Sequence, residues 1–201
     1  MNAIEIRNLI IKEVIAPALK KIGFKKSGNN FFQEGERFTK VFSITNSSWN
    51  DKDWVQFNLD IGILFHIANE INGREIKVSN TSSCHFEISV LQLNGSDQLF
   101  KIGPETEISN FRKYVDDTIN DYVIPFLNHY SNIEDCTDLY SKYTSHGWDI
   151  KPFIGLTLIE KGNIEIGTKL LEKINPTYNE EFRQKIIKHR DFLLSNLEKK
   201  M

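Results

Sequence analysis

The sequence has few of the residues and motifs that identify a function directly. Among its 201 residues are only two cysteines, Cys84 and Cys136, which lie too far apart to form a metal-binding motif. It contains no Cys-x-x-Cys or His-x-x-x-His pair, no glycine-rich dinucleotide or phosphate loop, and no Gly-x-Ser-x-Gly elbow. We therefore expect neither a zinc module nor a cofactor.

Long hydrophobic runs are also missing. No segment approaches the ~18 consecutive apolar residues of a membrane-spanning helix, and the first 14 residues are interrupted by Glu5, Arg7, Lys12 and Glu13. The N-terminus thus offers no apolar core of a signal peptide. We expect a cytoplasmic protein that does not enter the membrane and keeps both thiols reduced.

Charge of one sign is not in excess. Lysine and arginine number 25 against 27 aspartates and glutamates, which gives a net charge of -2. A general nucleic-acid binder needs a concentrated positive field, so this balance argues against one. Hydrophobic residues make up 40% and charged residues 26% of the chain, as in ordinary folded proteins.

The chain begins with a helical pattern and continues with strands. Apolar residues recur at helical spacing from about residue 3 to Ile22, Gly23 is placed to end the helix, and Pro17 predicts a kink near Ala16. After Gly23 the apolar residues recur at every second position instead. This spacing predicts strands over 30–34, 37–45, 54–64, 84–93 and 98–102.

Helical spacing returns from about Glu105, with Pro125 as a second predicted kink, and three further helices are predicted over 152–161, 164–174 and 178–199. This order predicts an α+β fold with an N-terminal helix, an antiparallel sheet of four or five strands and a helical C-terminal third. We expect an α+β domain over 1–130 and a helical extension over 131–201 packed on it. A single domain is the alternative.

Four segments resemble one known family in combination. They are Leu19-x-x-x-Gly23-Phe24-Lys25-Lys26, the aromatic pair Phe31-Phe32, the strand 57–63 (FNLDIGI) and the segment 124–127 (IPFL). Over about residues 3–130 the chain resembles a family of uncharacterised bacterial proteins grouped as a domain of unknown function. The resemblance implies small cytoplasmic α+β proteins, some of them suspected immunity proteins or accessory factors, and it transfers no catalytic residue.

The segment 23–32 (GFKKSGNNFF) interleaves basic and aromatic residues, as nucleic-acid-binding surfaces do. A structural role explains it better. Gly23 would end the helix, Phe24 would pack back on it, and Lys25 and Lys26 would be solvated near the negative end of the helix dipole. Contact with an acidic protein or with nucleic acid is the alternative.

Polar residues predicted on the outward face of two strands form the strongest enzyme-like group. Asp60, His85 and Glu87 would converge if their strands pair, as in acid–base catalysis or a two-carboxylate, one-histidine metal site. The same alternation predicts Cys84 on the inward side. Outward polar residues are also common on any half-buried sheet, so the pattern alone does not assign a reaction.

Tryptophans near loops favour a binding role. Trp49 and Trp54 flank the polar loop 50–53, and Trp148 precedes the C-terminal helices. Such aromatics either plug loops or bind partners. We favour a non-enzymatic protein-interaction or immunity-type factor with a small hydrolase or metal-dependent enzyme as the alternative. The predicted binding residues are Trp49, Trp54, Gln56, Asn58, Asp60, His85 and Glu87.

Overall fold

In the computed structural model, residues 1–73, 75, 77–96, 98–143, 149–172, 175 and 178–199 are described. The first helical segment has three parts: α1 (Ala3–Ile10), a π-helical turn (Ile11–Ile15) and α2 (Ala16–Lys21). Asn2 begins it with a reciprocal capping interaction with Glu5. Gly23 (φ 92°) follows its end.

The kinks predicted at Pro17 and Pro125 take the form of π-helical turns. The Ala16 N–H donates to the Ile11 carbonyl, five residues earlier. A second π-helical turn, Ile119–Val123, joins α5 (Ile108–Thr118) to α6 (Ile124–His129). Proline has no N–H and its ring collides with the carbonyl four residues before it in an α-helix. The wider turn accommodates both prolines without ending the helix.

The sheet is antiparallel and has six strands among the described residues. They are β1 (Lys25–Ser27), β2 (Asn30–Glu34), β3 (Phe38–Asn46), β4 (Val55–Phe65), β5 (Phe86–Ser89) and β6 (Phe100–Ile102). The strand order is β1-β2-β3-β4-β5, and β6 also pairs with β4. The predicted α+β class and antiparallel sheet are confirmed. β1 is an additional edge strand, and Lys25 and Lys26 lie in it rather than in a helix end.

The strand predicted over 84–93 is wrong at both ends. The strand β5 ends at Ser89, and a short helix, α4 (Val90–Asn94), follows. The Ser89 side chain accepts the Leu91 N–H, and the Gln92 side chain accepts the Ser89 N–H. This capping box starts a helix where the apolar residues alone favour a longer strand. Another short helix, α3 (Ile67–Asn72), follows β4.

The three predicted C-terminal helices correspond to α8 (Lys151–Glu160), α9 (Ile164–Leu171) and α10 (Glu180–Glu198). The short helix α7 (Leu139–Lys142) before them was not predicted. The helix α8 contributes Phe153, whose ring is stacked on Phe65 of β4 at 6.3 Å between centroids. Arg37 binds Glu160 at 2.7 Å. One hydrophobic core cluster includes residues from the sheet, the first helical segment and the C-terminal helices.

Lys40 of β3 is the main charged exception inside this core. It is 5% exposed and lies on the same side of the sheet as Phe42. Its Nζ donates to the Leu127 carbonyl at 2.6 Å and to Ser131 Oγ at 3.2 Å. Leu127 lies in the last turn of α6, where a cation also meets the negative end of the helix dipole. Burial lowers the pKa of Lys40 to about 8.

Lys40 should make stability depend on pH in the alkaline range. Between pH 8 and 10.5 the folded lysine is neutral while the unfolded one is still protonated, so stability rises with pH. The free energy of unfolding of the native chain, relative to Lys40→Met, should rise by about 3 kcal/mol across this window. Denaturant titration at several pH values measures it. If the free energies of unfolding of the two proteins changed equally with pH, the burial argument would be contradicted. Lys169→Met, which replaces an exposed lysine, is the control.

Candidate functional site

The outer face of the sheet, opposite the main core, presents a row of polar residues along β4. Gln56 and Asp60 are partly exposed and Asn58 is exposed, whereas Val55, Phe57, Leu59 and Ile61 between them are buried. The alternation predicted for this strand is therefore confirmed. Farther along β4 the same face is covered, because Val41, Leu64 and Cys84 form a second small apolar cluster there.

Trp54 extends the polar row at the beginning of β4. Its side chain is 46% exposed and packs so closely on Gly103 that a Cβ at that position would collide with the indole ring. The Lys101 Nζ lies 4.9 Å from the centroid of the Trp54 ring. These contacts hold the indole in one orientation while leaving nearly half of it open to solvent.

Trp49 is 89% exposed, which makes it the most exposed large hydrophobic residue among those described. It lies in the loop 47–53 between β3 and β4, and hydrogen bonds fasten this loop. The Asn50 side chain accepts the Gln56 N–H at 2.7 Å and donates to the Gln56 carbonyl at 2.9 Å. Asp51 Oδ1 accepts the N–H groups of Asp53 and Trp54, both at 2.8 Å.

The hydrogen bonds to Asp51 also change the pKa of its carboxyl group. The backbone N–H groups of Trp54 and Asp53 lower the pKa of the Asp51 carboxyl, because their hydrogen bonds favour its ionised form. In addition, the Lys52 carbonyl accepts the Ala3 N–H, which ties the loop to the start of α1. Trp49 is thus presented to solvent by a loop whose backbone is fixed on both sides.

A cleft of about 310 Å³ lies between the two tryptophans. Its walls are Ser47, Trp49, Asn50, Trp54, Val55, Gln56 and Lys101. It joins apolar ring surface with amide, hydroxyl and ammonium groups, the mixture found in sites that bind protein side chains.

At the other end of the polar row, Asp60 and Glu87 share the outer face. Asp60 is opposite Ser89 and Gly62 is opposite Glu87 in the register, so the two carboxylates are diagonal neighbours. The Thr81 hydroxyl donates to Glu87 at 2.5 Å, and the Thr45 hydroxyl approaches Asp60 at 3.5 Å. Burial, with a smaller contribution from the charge of Glu87, raises the pKa of Asp60 to about 6.

His85 does not lie on this face, and its predicted outward orientation is wrong. It is 5% exposed and its ring packs on Phe153 at 4.4 Å between centroids. Its Nδ1 accepts the Phe65 N–H at 3.1 Å, and burial lowers the pKa of the ring to about 4. Because the chain turns before β5 begins, His85 points to the core. The predicted convergence of Asp60, His85 and Glu87 is therefore not formed.

The family model described as a domain of unknown function (DUF4304) matches residues 15–129. The chain belongs to this DUF4304 family. The matched range contains all six strands, both tryptophans of the cleft and the two carboxylates. No curated protein and no solved structure matches the chain.

Within the DUF4304 range, Cys84 is also placed differently from the prediction. It lies under the outer face beside Gly62 rather than in the main core. Burial, and then the charge of Glu87, raises the pKa of Cys84 to about 12, so its thiol stays protonated. Cys136, beyond the family range, is also buried and has its pKa raised to about 12 mainly by burial.

The described residues contain no group of three or more histidine, cysteine, aspartate or glutamate side chains able to hold a metal ion. Within the same residues, no helix is both long enough and apolar enough to cross a membrane. Trp148, the third tryptophan, lies outside the described residues.

Sequence patterns missed four residues that line the cleft in the DUF4304 range: the polar Ser47, Asn50 and Lys101, and the apolar Val55. Lys101 reaches Trp54 because β6 pairs with the first residues of β4, with Gln56 opposite Lys101. Periodicity predicts a strand over 98–102, but it does not identify the strand's partner. The role of Asn50 could be inferred from the loop sequence, since asparagine in a loop commonly forms hydrogen bonds with nearby backbone groups.

Proposed function

We propose that this chain is a non-enzymatic, immunity-type factor that binds a protein partner through the tryptophan surface, defined as Trp49, Trp54, Gln56, Asn58 and Asp60. The observation that carries the proposal is the 89% exposure of Trp49 on a fastened loop. Tryptophan is highly buried on average in folded proteins, and it is enriched among the residues that dominate binding energy at interfaces.

The fixed loop supports the same proposal. Side chains and loops that become ordered on association cost roughly 0.5–1.5 kcal/mol for each immobilised side chain. Here Asn50 and Asp51 already hold the loop backbone, and Gly103 and Lys101 already hold Trp54. The loop backbone and the Trp54 indole are thus preorganised, so more of the contact energy would be available for affinity.

The charge of the surface suggests the chemistry of the partner. Among the described residues, no lysine or arginine forms an ion pair with Asp60, and Glu87 adds a second carboxylate to the same end. A partner loop carrying an arginine or lysine next to apolar residues would match the carboxylates and the cleft together. We place this interaction in the cytoplasm of a bacterial cell.

Replacing both indoles should abolish most of the affinity. The partner is first recovered from host lysate on the immobilised protein and then titrated as a purified protein. Trp49→Ala/Trp54→Ala should weaken its binding by roughly 30-fold or more, the effect of losing one strong interface anchor of about 2 kcal/mol. Isothermal titration calorimetry measures the change, and circular dichroism checks that the variant is folded.

The matched control removes exposed apolar side chains from α9 and α10 instead. Ile166 and Phe192 are 53% and 58% exposed, so Ile166→Ala/Phe192→Ala deletes comparable surface without touching the cleft. Binding that survives the tryptophan replacements, or that falls equally in the control, would refute the proposed surface. Asp60→Asn should weaken binding less than the tryptophan replacements do, and it should make the affinity depend less on salt concentration.

A further inference from the structure

A basic groove lies where the first helical segment meets the turn between β1 and β2. Four cationic side chains and two amides line it: Arg7, Asn8, Lys12, Lys20, Lys26 and Asn29. Its volume is about 330 Å³, and no carboxylate contributes to the lining among the described residues. For a chain whose net charge is -2, four cations in one groove is a strong local concentration of positive charge.

These cations are not neutralised within the chain. Among the described residues, Lys12, Lys20 and Lys26 form no ion pair. The two acids of the first helical segment are engaged elsewhere: Glu5 accepts the Asn2 N–H, and Glu13 binds Arg112 at 2.6 Å. The field of the lysines therefore extends into the groove.

Arg7 is held in place by the end of strand β3. Its Nη1 donates to Asn46 Oδ1 at 2.7 Å, while its Nε is buried without a hydrogen-bond partner. Burial lowers the pKa of the guanidinium from its ordinary value. The desolvation of this charge is unfavourable, and an anion in the groove would offset it.

The groove also has an apolar floor, formed by Ile11 and Ala16. Ile11 is the first residue of the π-helical turn. Ala16 directly follows that turn and precedes Pro17. Lys26 projects from the edge strand β1, and its Nζ lies 5.8 Å from the centroid of the Phe31 ring. The groove thus brings together helix and strand residues that are far apart in the sequence.

We propose that this basic groove binds a small phosphate ester, with its phosphate at Arg7, Lys12 and Lys26 and its organic part against Ile11 and Ala16. The volume is at the lower end of the roughly 300–1,000 Å³ of small-molecule sites. That size fits one nucleotide-like molecule, and the acidic overall charge disfavours a long polyanion. The site is separate from the tryptophan surface and does not depend on the protein-binding role.

Calorimetry with inorganic pyrophosphate and with adenosine diphosphate tests the proposal on the full chain. Adenosine diphosphate should bind once per chain and more tightly than pyrophosphate, which has no organic part to contact the apolar floor. Lys12→Gln/Lys26→Gln should weaken binding by about tenfold or more, because hydrogen bonds between charged groups are the strong ones. The control, Lys169→Gln/Lys188→Gln, makes the same change in net charge at exposed lysines of α9 and α10 and should bind like the native chain.

Three results would overturn the inference. One is no heat with either probe at millimolar concentration, and another is an equal loss of binding in the control variant. The third is tight binding of a 12-nucleotide single strand with none of the small probes, which would assign the groove to nucleic acid instead. Binding of adenosine diphosphate but not pyrophosphate would support the proposal and show that the apolar floor contributes.

Discussion

Gly167→Val should lower the free energy of unfolding by about 3 kcal/mol, at the upper end of the usual cost of overpacking a core. Gly167 lies in α9 where that helix crosses α8. A Cβ at this position would lie 2.5 Å from the Gly155 carbonyl oxygen and 2.7 Å from the Ile159 side chain. Because the nearest atom belongs to a backbone, it cannot move aside by changing rotamer, and the helices must separate. Thermal or urea unfolding measures the loss.

Lys169→Val provides the control for valine in the same helix. Lys169 is exposed, so this change includes the unfavourable helix propensity of a β-branched residue without the collision. The shape of the transition also tests the predicted division at residue 130. If the C-terminal helices and the sheet unfold together, one transition should shift as a whole, whereas an early separate transition would indicate an independent extension. Equal stability of the two variants would contradict the close helix crossing.

Much of the sheet was predictable because its central strand has a simple environment. Along β4 every second residue is buried against the helices, so hydrophobic alternation determines both the strand and its inner face. The C-terminal helices were predictable for a similar reason, since turn signals such as Gly162 (φ 89°) separate their apolar patterns.

The inversion at His85 could not be predicted from spacing. Alternation assumes that the strand starts at Cys84, but β5 starts at Phe86, after the short 3-10 turn Thr81–Ser83. Cys84 and His85 precede β5 and do not follow its alternation, so they lie on the opposite sides from those predicted, whereas Phe86 and Glu87 keep the predicted ones. The environment of His85 also depends on Phe153, which comes from a helix 68 positions later in the chain.

The candidate binding residues were predictable only in part. Trp49 and Trp54 stand out because large aromatics beside a loop either plug the loop or bind a partner. In the basic groove, Lys26 belongs to the segment 23–32, which interleaves basic and aromatic residues, and Lys20 lies shortly before it. Arg7 and Lys12 lie outside that segment. The π-helical turn at 11–15 adds a residue to the helix and rotates the residues after it, so a regular 3.6-residue period misplaces the faces of the helix.

His85 should make the protein sensitive to acid. Its folded pKa is about 4 against an ordinary value of 6.5, so between these values the unfolded chain binds the additional proton. Stability is then lost as pH falls through this window, by up to about 3 kcal/mol. The physical cause is that a protonated ring could no longer accept the Phe65 N–H and would be a charge buried against Phe153.

The effect of Asp60 on stability has the opposite sign over nearly the same pH range. Its folded pKa is about 6 against an ordinary 3.8, so the folded chain binds the additional proton, and stability rises as pH falls. The two dependences partly cancel in the native protein. Asp60→Asn should therefore steepen the acid-induced loss, whereas His85→Asn, which offers an acceptor near the position of Nδ1, should remove or reverse it.

Urea unfolding of both variants between pH 4 and 6.5, with the exposed His129→Asn as a control, separates the two contributions. His129→Asn should keep the pH dependence of the native chain, because its ring is not enclosed by the core. If His85→Asn left the slope of stability against pH unchanged, the ring would have to be protonated or exposed in the folded protein. That result would return His85 to the candidate site, because an accessible imidazole near Asp60 and Glu87 is the arrangement that the enzyme alternative requires.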